Sequence, residues 1–159
     1  MAAQVRQAKR DDGSELIDLW HGFTDHLSEY DDRYEHKDEA NERWLQYFEN
    51  QLLDSKYGTV FVAEADDELV GVLEVRVVGD HPIFRLKDHG YINGHYVRDA
   101  YRGTGVGKQL LDAAADWLQD HPRGIDFCRV DVIHGDENAV SVYEDLDFEP
   151  IEHVYEYEL

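Results

Sequence analysis

Three glycines alternate along Arg102-Gly103-Thr104-Gly105-Val106-Gly107-Lys108, between two cations. Glycine lets a backbone turn sharply and approach a ligand closely. Just upstream, Tyr91 to Arg98 has the β-branched and aromatic character of a strand. Just downstream, Val106, Leu110, Leu111, Ala114, Trp117 and Leu118 recur at helical spacing. The order is therefore strand, glycine turn, helix. The free N–H groups of the first helical turn, with the positive end of the helix dipole, favour an anion at the turn. A phosphate-bearing ligand suits this chemistry, and a tight turn that binds nothing would use the same residues.

Spacing narrows the ligand. A nucleotide-hydrolase phosphate loop needs glycine five residues before Gly107 and Ser or Thr after the lysine, where this chain has Arg102 and Gln109. No hydroxyl is then placed to hold magnesium. A dinucleotide fingerprint needs its third glycine at the position of Lys108. What remains is Arg-x-x-Gly-x-Gly between a strand and an amphipathic helix.

The elements around that turn follow from pattern. Gln4 to Ala8 reads as a first strand, with Asp11, Asp12 and Ser14 as helix caps. Leu16, Leu19, Trp20, Phe23 and Leu27 predict an amphipathic helix from Glu15 to near Tyr30, and Glu39 to Leu53 predicts a second after the Tyr30-to-Lys37 loop. Thr59 to Ala65 and Leu69 to Val78 read as a hairpin across Asp66-Asp67-Glu68. After a Gly79-to-Gly90 loop, the Tyr91-to-Arg98 strand is expected to carry Tyr91, Asn93, His95 and Val97 on one face. The turn helix ends near Asp120, before Pro122 and Gly124. Ile125 to Ile133 is a strand, Glu137 to Leu146 a short helix, and Phe148 to Leu159 a last strand. Tyr155, Tyr157 and Leu159 would line one face of that strand, an exposed edge that invites a homodimer. The order β-α-α-β-β-β-α-β-α-β describes one α/β domain over residues 1–159, an α+β mixed sheet with helices on both faces.

The glycine turn, this order of elements, and Val130-Asp131-Val132 through Tyr143-Glu144-Asp145-Leu146-Asp147-Phe148 together resemble the GNAT superfamily of N-acetyltransferases. The resemblance implies a GNAT-like acyl-CoA N-acyltransferase fold and acetyl transfer to a primary amine by direct attack in a ternary complex. It implies that acetyl-CoA lays its pyrophosphate over Arg102, Gly103, Thr104, Gly105, Val106, Gly107 and Lys108. Its pantetheine arm would run along the strand at Tyr96 and Val97, with a further contact from Asn138. Tyr143 matches the family tyrosine that protonates the departing thiolate, a role its hydroxyl can fill. Two positions depart from the family pattern: Asp136 stands where an asparagine is common, and Asp147 where glycine ends the helix. An attacking amine must be neutral, so a base is needed. Glu74 interrupts an apolar strand, Asp131 stands where some members carry Glu, and His95 titrates in a suitable range. The competing reading is a non-catalytic acyl-CoA-binding sensor or assembly module.

Composition bounds the partners. Thirty-six acidic residues against 15 basic give a net charge of −21, which argues against nucleic acid as a ligand. The acids are spread along the whole chain, so we read them as adaptation to a high-salt cytoplasm, with a cationic substrate as the alternative. No run of about 18 apolar residues and no apolar signal core is present, so neither a membrane span nor export is expected. One cysteine and scattered histidines give no metal site. The acceptor stays open among protein N-termini, lysines, polyamines, amino acids and aminoglycosides; the Tyr30-to-Lys37 loop and His81, Pro82 and Phe84 sit where the family shapes its pocket.

Overall fold

A computed structural model describes residues 2–79 and 81–159. The expected Gly79-to-Gly90 loop therefore includes one residue, Asp80, outside the described set. Five strands form one sheet in sequence order: β1 (Gln4–Gln7), β2 (Gly58–Ala65), β3 (Glu68–Val78), β4 (His89–Val97) and β5 (Cys128–Val130). The first four are antiparallel neighbours and β5 joins β4 in parallel. The β2–β3 hairpin turns at Asp66 and Asp67, whose φ angles of 52° and 63° are those of the primed two-residue turn that matches strand twist.

Alternation on these strands sorts side chains to two faces. Val60, Val62, Leu69 and Val72 meet Leu16 and Leu19 of helix α1 (Gly13–Ser28), and Phe48 and Leu52 of the π-turn Phe48–Leu52 that extends helix α2 (Ala40–Tyr47). On the other face Phe61, Ala63, Leu73, Val75 and Ile92 meet Val106, Leu110, Leu111, Ala114 and Leu118 of helix α3 (Val106–Gln119). Each fully buried Leu or Val contributes about 1.5–3 kcal/mol relative to exposure, so both faces of the sheet are held by their helices. Helix α4 (Glu137–Asp145) differs, since none of its residues is buried. Its Tyr143, half-buried, packs against the α3-side core, and both of its ends are capped.

At its start the Asp136 carboxylate accepts the Ala139 N–H at 3.1 Å and receives Nε2 of His26, from α1, at 2.7 Å. At its end Phe148 N–H bonds to Tyr143 O and Asp147 N–H to Glu144 O, a Schellman pattern that places Asp147 at φ 68°. The position that resembled a family glycine is thus left-handed in fact, and an aspartate occupies it.

Three expectations are corrected. Residues 149–159 form no strand and make no backbone–backbone hydrogen bond among the described residues; Val154, Tyr155 and Tyr157 are 86–91% exposed. Alternation makes a segment suitable for a ladder but supplies no neighbour, and the sheet edge that β5 offers is only three residues long. The strand expected over Ile125 to Ile133 is accordingly reduced to Cys128–Val130, because its one neighbour, β4, stops pairing with it at Ile92↔Val130. Finally, Tyr91, Asn93, His95 and Val97 do not share a face: a bulge in β4 intervenes, as described next.

Candidate active site

The parallel ladder ends at Ile92↔Val130 while β4 continues to Val97, so the two strands part and the β5-facing side of Asn93 to Val97 has no strand partner among the described residues. A narrow cavity sits in the fork, lined by Phe23 of α1, Tyr91 through His95 of β4, Val130, Asp131 and Tyr143. An extended ligand can add to such a free strand edge as a further strand would.

Within the fork β4 is irregular. Opposite β3, Glu74 faces Asn93 and Val72 faces Tyr96, so one residue of β3 meets both Gly94 and His95. Gly94 makes the bulge possible: its φ is +65°, and a Cβ there would lie 2.9 Å from the Trp20 ring. The extra residue inverts the alternation beyond it. Asn93 stays on the α1–α2 face beside Glu74, whereas His95 and Val97 turn to the α3 face. Tyr96 packs on the α1 side, under the guanidinium of Arg102 at 5.6 Å.

His95 thereby joins two elements. Its Nε2 lies 3.0 Å from the Gly107 carbonyl in the first turn of α3, and its Nδ1 lies 2.8 Å from the Tyr143 hydroxyl on α4. Burial lowers its pKa to about 4, although the Gly107 carbonyl favours the proton. Burial raises the Tyr143 pKa well above the ordinary 10, with Asp136 adding to the rise. Tyr143 is therefore protonated at neutral pH, and the ring of Phe148 packs against it edge-on at 5.3 Å.

The two carboxylates differ. Glu74 is 2% exposed; the Tyr47 hydroxyl donates to it at 2.8 Å and Arg76 pairs with it at 3.2 Å. Burial raises its pKa, opposed by Tyr47, Arg76 and Asn93. Asp131 is exposed at the mouth of the fork and accepts the Tyr91 hydroxyl at 2.5 Å. Burial and this carboxylate push the Tyr91 pKa up to about 12.

The glycine turn lies one step away. Gly103 and Gly105 have φ of 75° and 90°, conformations that cost an L residue about 1–2 kcal/mol. Apart from the adjoining residues of the chain, no atom of the described residues stands within 4 Å of a Cβ built on either, so the space beside them is open. The first bond of α3 is Gln109 N–H to Gly105 O at 3.0 Å, which leaves the N–H groups of Val106, Gly107 and Lys108 without an intrahelical partner. Val106 is core, while Thr104 donates to the Tyr101 carbonyl. Arg102 donates to the Val97 carbonyl at 3.0 Å and pairs with Asp99, and Lys108 pairs with Asp112 at 2.9 Å. Asn138 is exposed in the first turn of α4.

The structure brings to the fork Tyr143, His95 and Asp131, which the sequence offers as separate candidates, and adds Asn93 and Tyr91, to which the sequence gives no role, and the His26–Asp136 pair. An asparagine within an aromatic strand was the available signal for Asn93. Nothing local marks His26, 110 residues from its partner. Among the described residues no group of three or more His, Cys, Asp or Glu is placed to hold a metal, and no helix is long and apolar enough to cross a membrane.

Known proteins share this fold. A mutant protein from Bacillus halodurans superimposes with a TM-score of 0.82 at 18% identity, over 98% of this chain and 99% of that one. A predicted acetyltransferase from Clostridium acetobutylicum, solved with acetyl-CoA, gives 0.75 at 18% identity, over 98% and 96% of the two chains. In sequence, an aminoglycoside N(6')-acetyltransferase type 1 of Stenotrophomonas maltophilia is 39% identical over 72 residues, covering 44% of this chain and 47% of that protein. This match spans about half of that relative's length. The Acetyltransferase (GNAT) family model matches residues 20–148, from the first helix through the end of α4, and on that match the chain belongs to the acetyltransferase (GNAT) family.

Proposed function

We propose that this chain transfers the acetyl group of acetyl-CoA to a primary amine of a small molecule, with Tyr143 as general acid. The observation that carries the reading is the Tyr143 hydroxyl at the fork, joined through His95 to the first turn of α3. The pyrophosphate is assigned to the N–H groups and cations of Arg102 to Lys108, and the pantetheine to the free edge of β4 at Tyr96 and Val97, with Asn138 at its flank. The amine lone pair attacks the thioester carbon, a backbone N–H near Val97 holds the oxyanion, and the C–S bond breaks as Tyr143 gives its proton to sulfur.

Asp131 is our choice to receive the amine proton, directly or through water, because it is the carboxylate that lines the fork and meets solvent. Glu74 is enclosed by Tyr47 and Arg76, and both ring nitrogens of His95 are engaged. The matching relative acts on an aminoglycoside, and an aminosugar amine is accordingly the first acceptor to test.

Thiol release from acetyl-CoA across a panel of aminoglycosides, polyamines and amino acids tests the reading. Tyr143→Phe should lower kcat by about 100-fold or more while acetyl-CoA still binds. Full activity of that variant would remove the acid. Acetyl-CoA binding without turnover on any amine would point instead to a binding module. Three lesser assignments accompany this one. The donor is an intracellular metabolite, which goes with a cytoplasmic site. The net charge of −21 goes with a salt-rich cell, so stability should rise from low to molar salt. The exposed tail over residues 149–159, which has no strand partner among the described residues although Glu156 pairs with Arg33, goes with a second copy of this chain, and a monomer by light scattering in high salt would rule that out.

A further inference from the structure

We propose that His95 is the positioning residue for the acid: locked as one neutral tautomer by the Gly107 carbonyl, it holds the Tyr143 hydroxyl at the fork. The inference rests on the reading of Tyr143 as proton donor. A carbonyl can only accept, so at 3.0 Å from the Gly107 oxygen the hydrogen must sit on Nε2 of His95. A neutral imidazole then has one lone pair left, on Nδ1, and 2.8 Å away the Tyr143 O–H is the donor that meets it. Burial, which lowers the His95 pKa to about 4, keeps the ring neutral.

Three elements converge on this ring. The bulge at Gly94 turns His95 out of the alternation of β4, α3 supplies the carbonyl, and α4 supplies the hydroxyl. The bond therefore fixes the phenol of a helix that has no buried residue of its own. When a thiolate forms in the fork, the hydroxyl hydrogen swings from Nδ1 to sulfur by rotation about the phenol C–O bond. The O–H bond breaks, the S–H bond forms, and solvent water returns a proton to the phenolate. His95 itself exchanges no proton in this scheme.

Two substitutions separate its two bonds. His95→Asn keeps an acceptor oxygen near the Nδ1 position, and His95→Gln keeps a donor near the Nε2 position while removing that acceptor. Rates are expressed per acetyl-CoA-binding site, so that loss of folded protein does not enter. We expect His95→Gln to lower kcat by about 10- to 100-fold with the KM for acetyl-CoA nearly unchanged, and His95→Asn to recover most of the loss. In a Tyr143→Phe background His95→Gln should cost nothing further. The same factor lost in both backgrounds, or equal damage from both substitutions, would overturn the assignment. An active Tyr143→Phe single variant would instead overturn the reading of the acid.

Discussion

Acid should destabilise this fold through His95, in a window set by one residue. The unfolded imidazole has a pKa near 6.5 and the folded one about 4, so the unfolded chain binds the proton more tightly. The stability that goes with the neutral ring is complete above the unfolded value. It is lost as pH falls from there towards the folded value. Each decade is worth about 1.4 kcal/mol, so the whole window amounts to about 3 kcal/mol, of which about 2 kcal/mol is gone by about pH 5. Against a typical total of about 5–15 kcal/mol, this is measurable. Glu74 acts oppositely: its raised folded pKa means that stability is gained as pH falls, so wild-type protein alone gives a mixed answer. The clean quantity is the difference between wild type and His95→Asn. Urea unfolding of both, at constant high ionic strength and followed by tryptophan fluorescence, should show wild type losing about 2 kcal/mol more than the variant between about pH 7 and about pH 5. Parallel losses in the two proteins would mean that His95 is not held neutral by burial, and the argument for its tautomer would fall with it.

Other perturbations test other links. Gly94→Ala forces an L residue to φ 65° and puts its Cβ 2.9 Å from the Trp20 ring; we expect a loss of about 3 kcal/mol in urea unfolding and reduced kcat in the folded fraction, because the bulge that aims His95 is strained. Asp147→Gly relieves a left-handed aspartate at the end of α4 and should raise stability by about 1 kcal/mol, a gain absent if that φ is not adopted in solution. Asp131→Asn should reduce kcat on amine acceptors by about 100-fold without altering acetyl-CoA binding in a calorimetric titration, whereas Glu74→Gln should be milder; the reverse ranking would return the base to Glu74.

The sequence made the sheet and its two helical layers legible because β2 and β3 are long β-branched runs and α3 carries helical periodicity, and the core they build follows from them. The glycine turn was legible for a different reason: left-handed φ at Gly103 and Gly105 demands the residue type that is seen. Alternation failed at β4. Counting by twos from Tyr91 assigns His95 to the face of Asn93, and the count is correct until Gly94 inserts a residue whose backbone angle no side-chain pattern announces. The tail failed for the opposite reason, since a pattern was present and a neighbouring strand was not. Of the site, the residue types were readable and their pairings were not. His95 to Tyr143 spans 48 residues, and Tyr91 to Asp131 spans 40.

The fork asks two conflicting things of β4. It must stay laddered to β3 through most of its length, yet release β5 after Ile92 to free an edge. A regular strand doing so would still present His95 towards α1 and α2, away from α3, and the Tyr143 hydroxyl would face the fork without that acceptor. The bulge resolves this by letting one strand serve both faces: Asn93 before it reaches Glu74 on the α1–α2 side, and His95 after it reaches Gly107 and Tyr143 on the α3 side. Helix α4 completes the arrangement from the other direction. Without a buried residue it is fixed by the Asp136 cap to His26, by the left-handed turn at Asp147, and by Tyr143 itself. The residue we assign as the acid is thus one of the three anchors of its own helix. Tyr143→Phe must then be judged by kcat per acetyl-CoA-binding site, because part of any loss in total activity would come from α4 loosening and not from the missing proton.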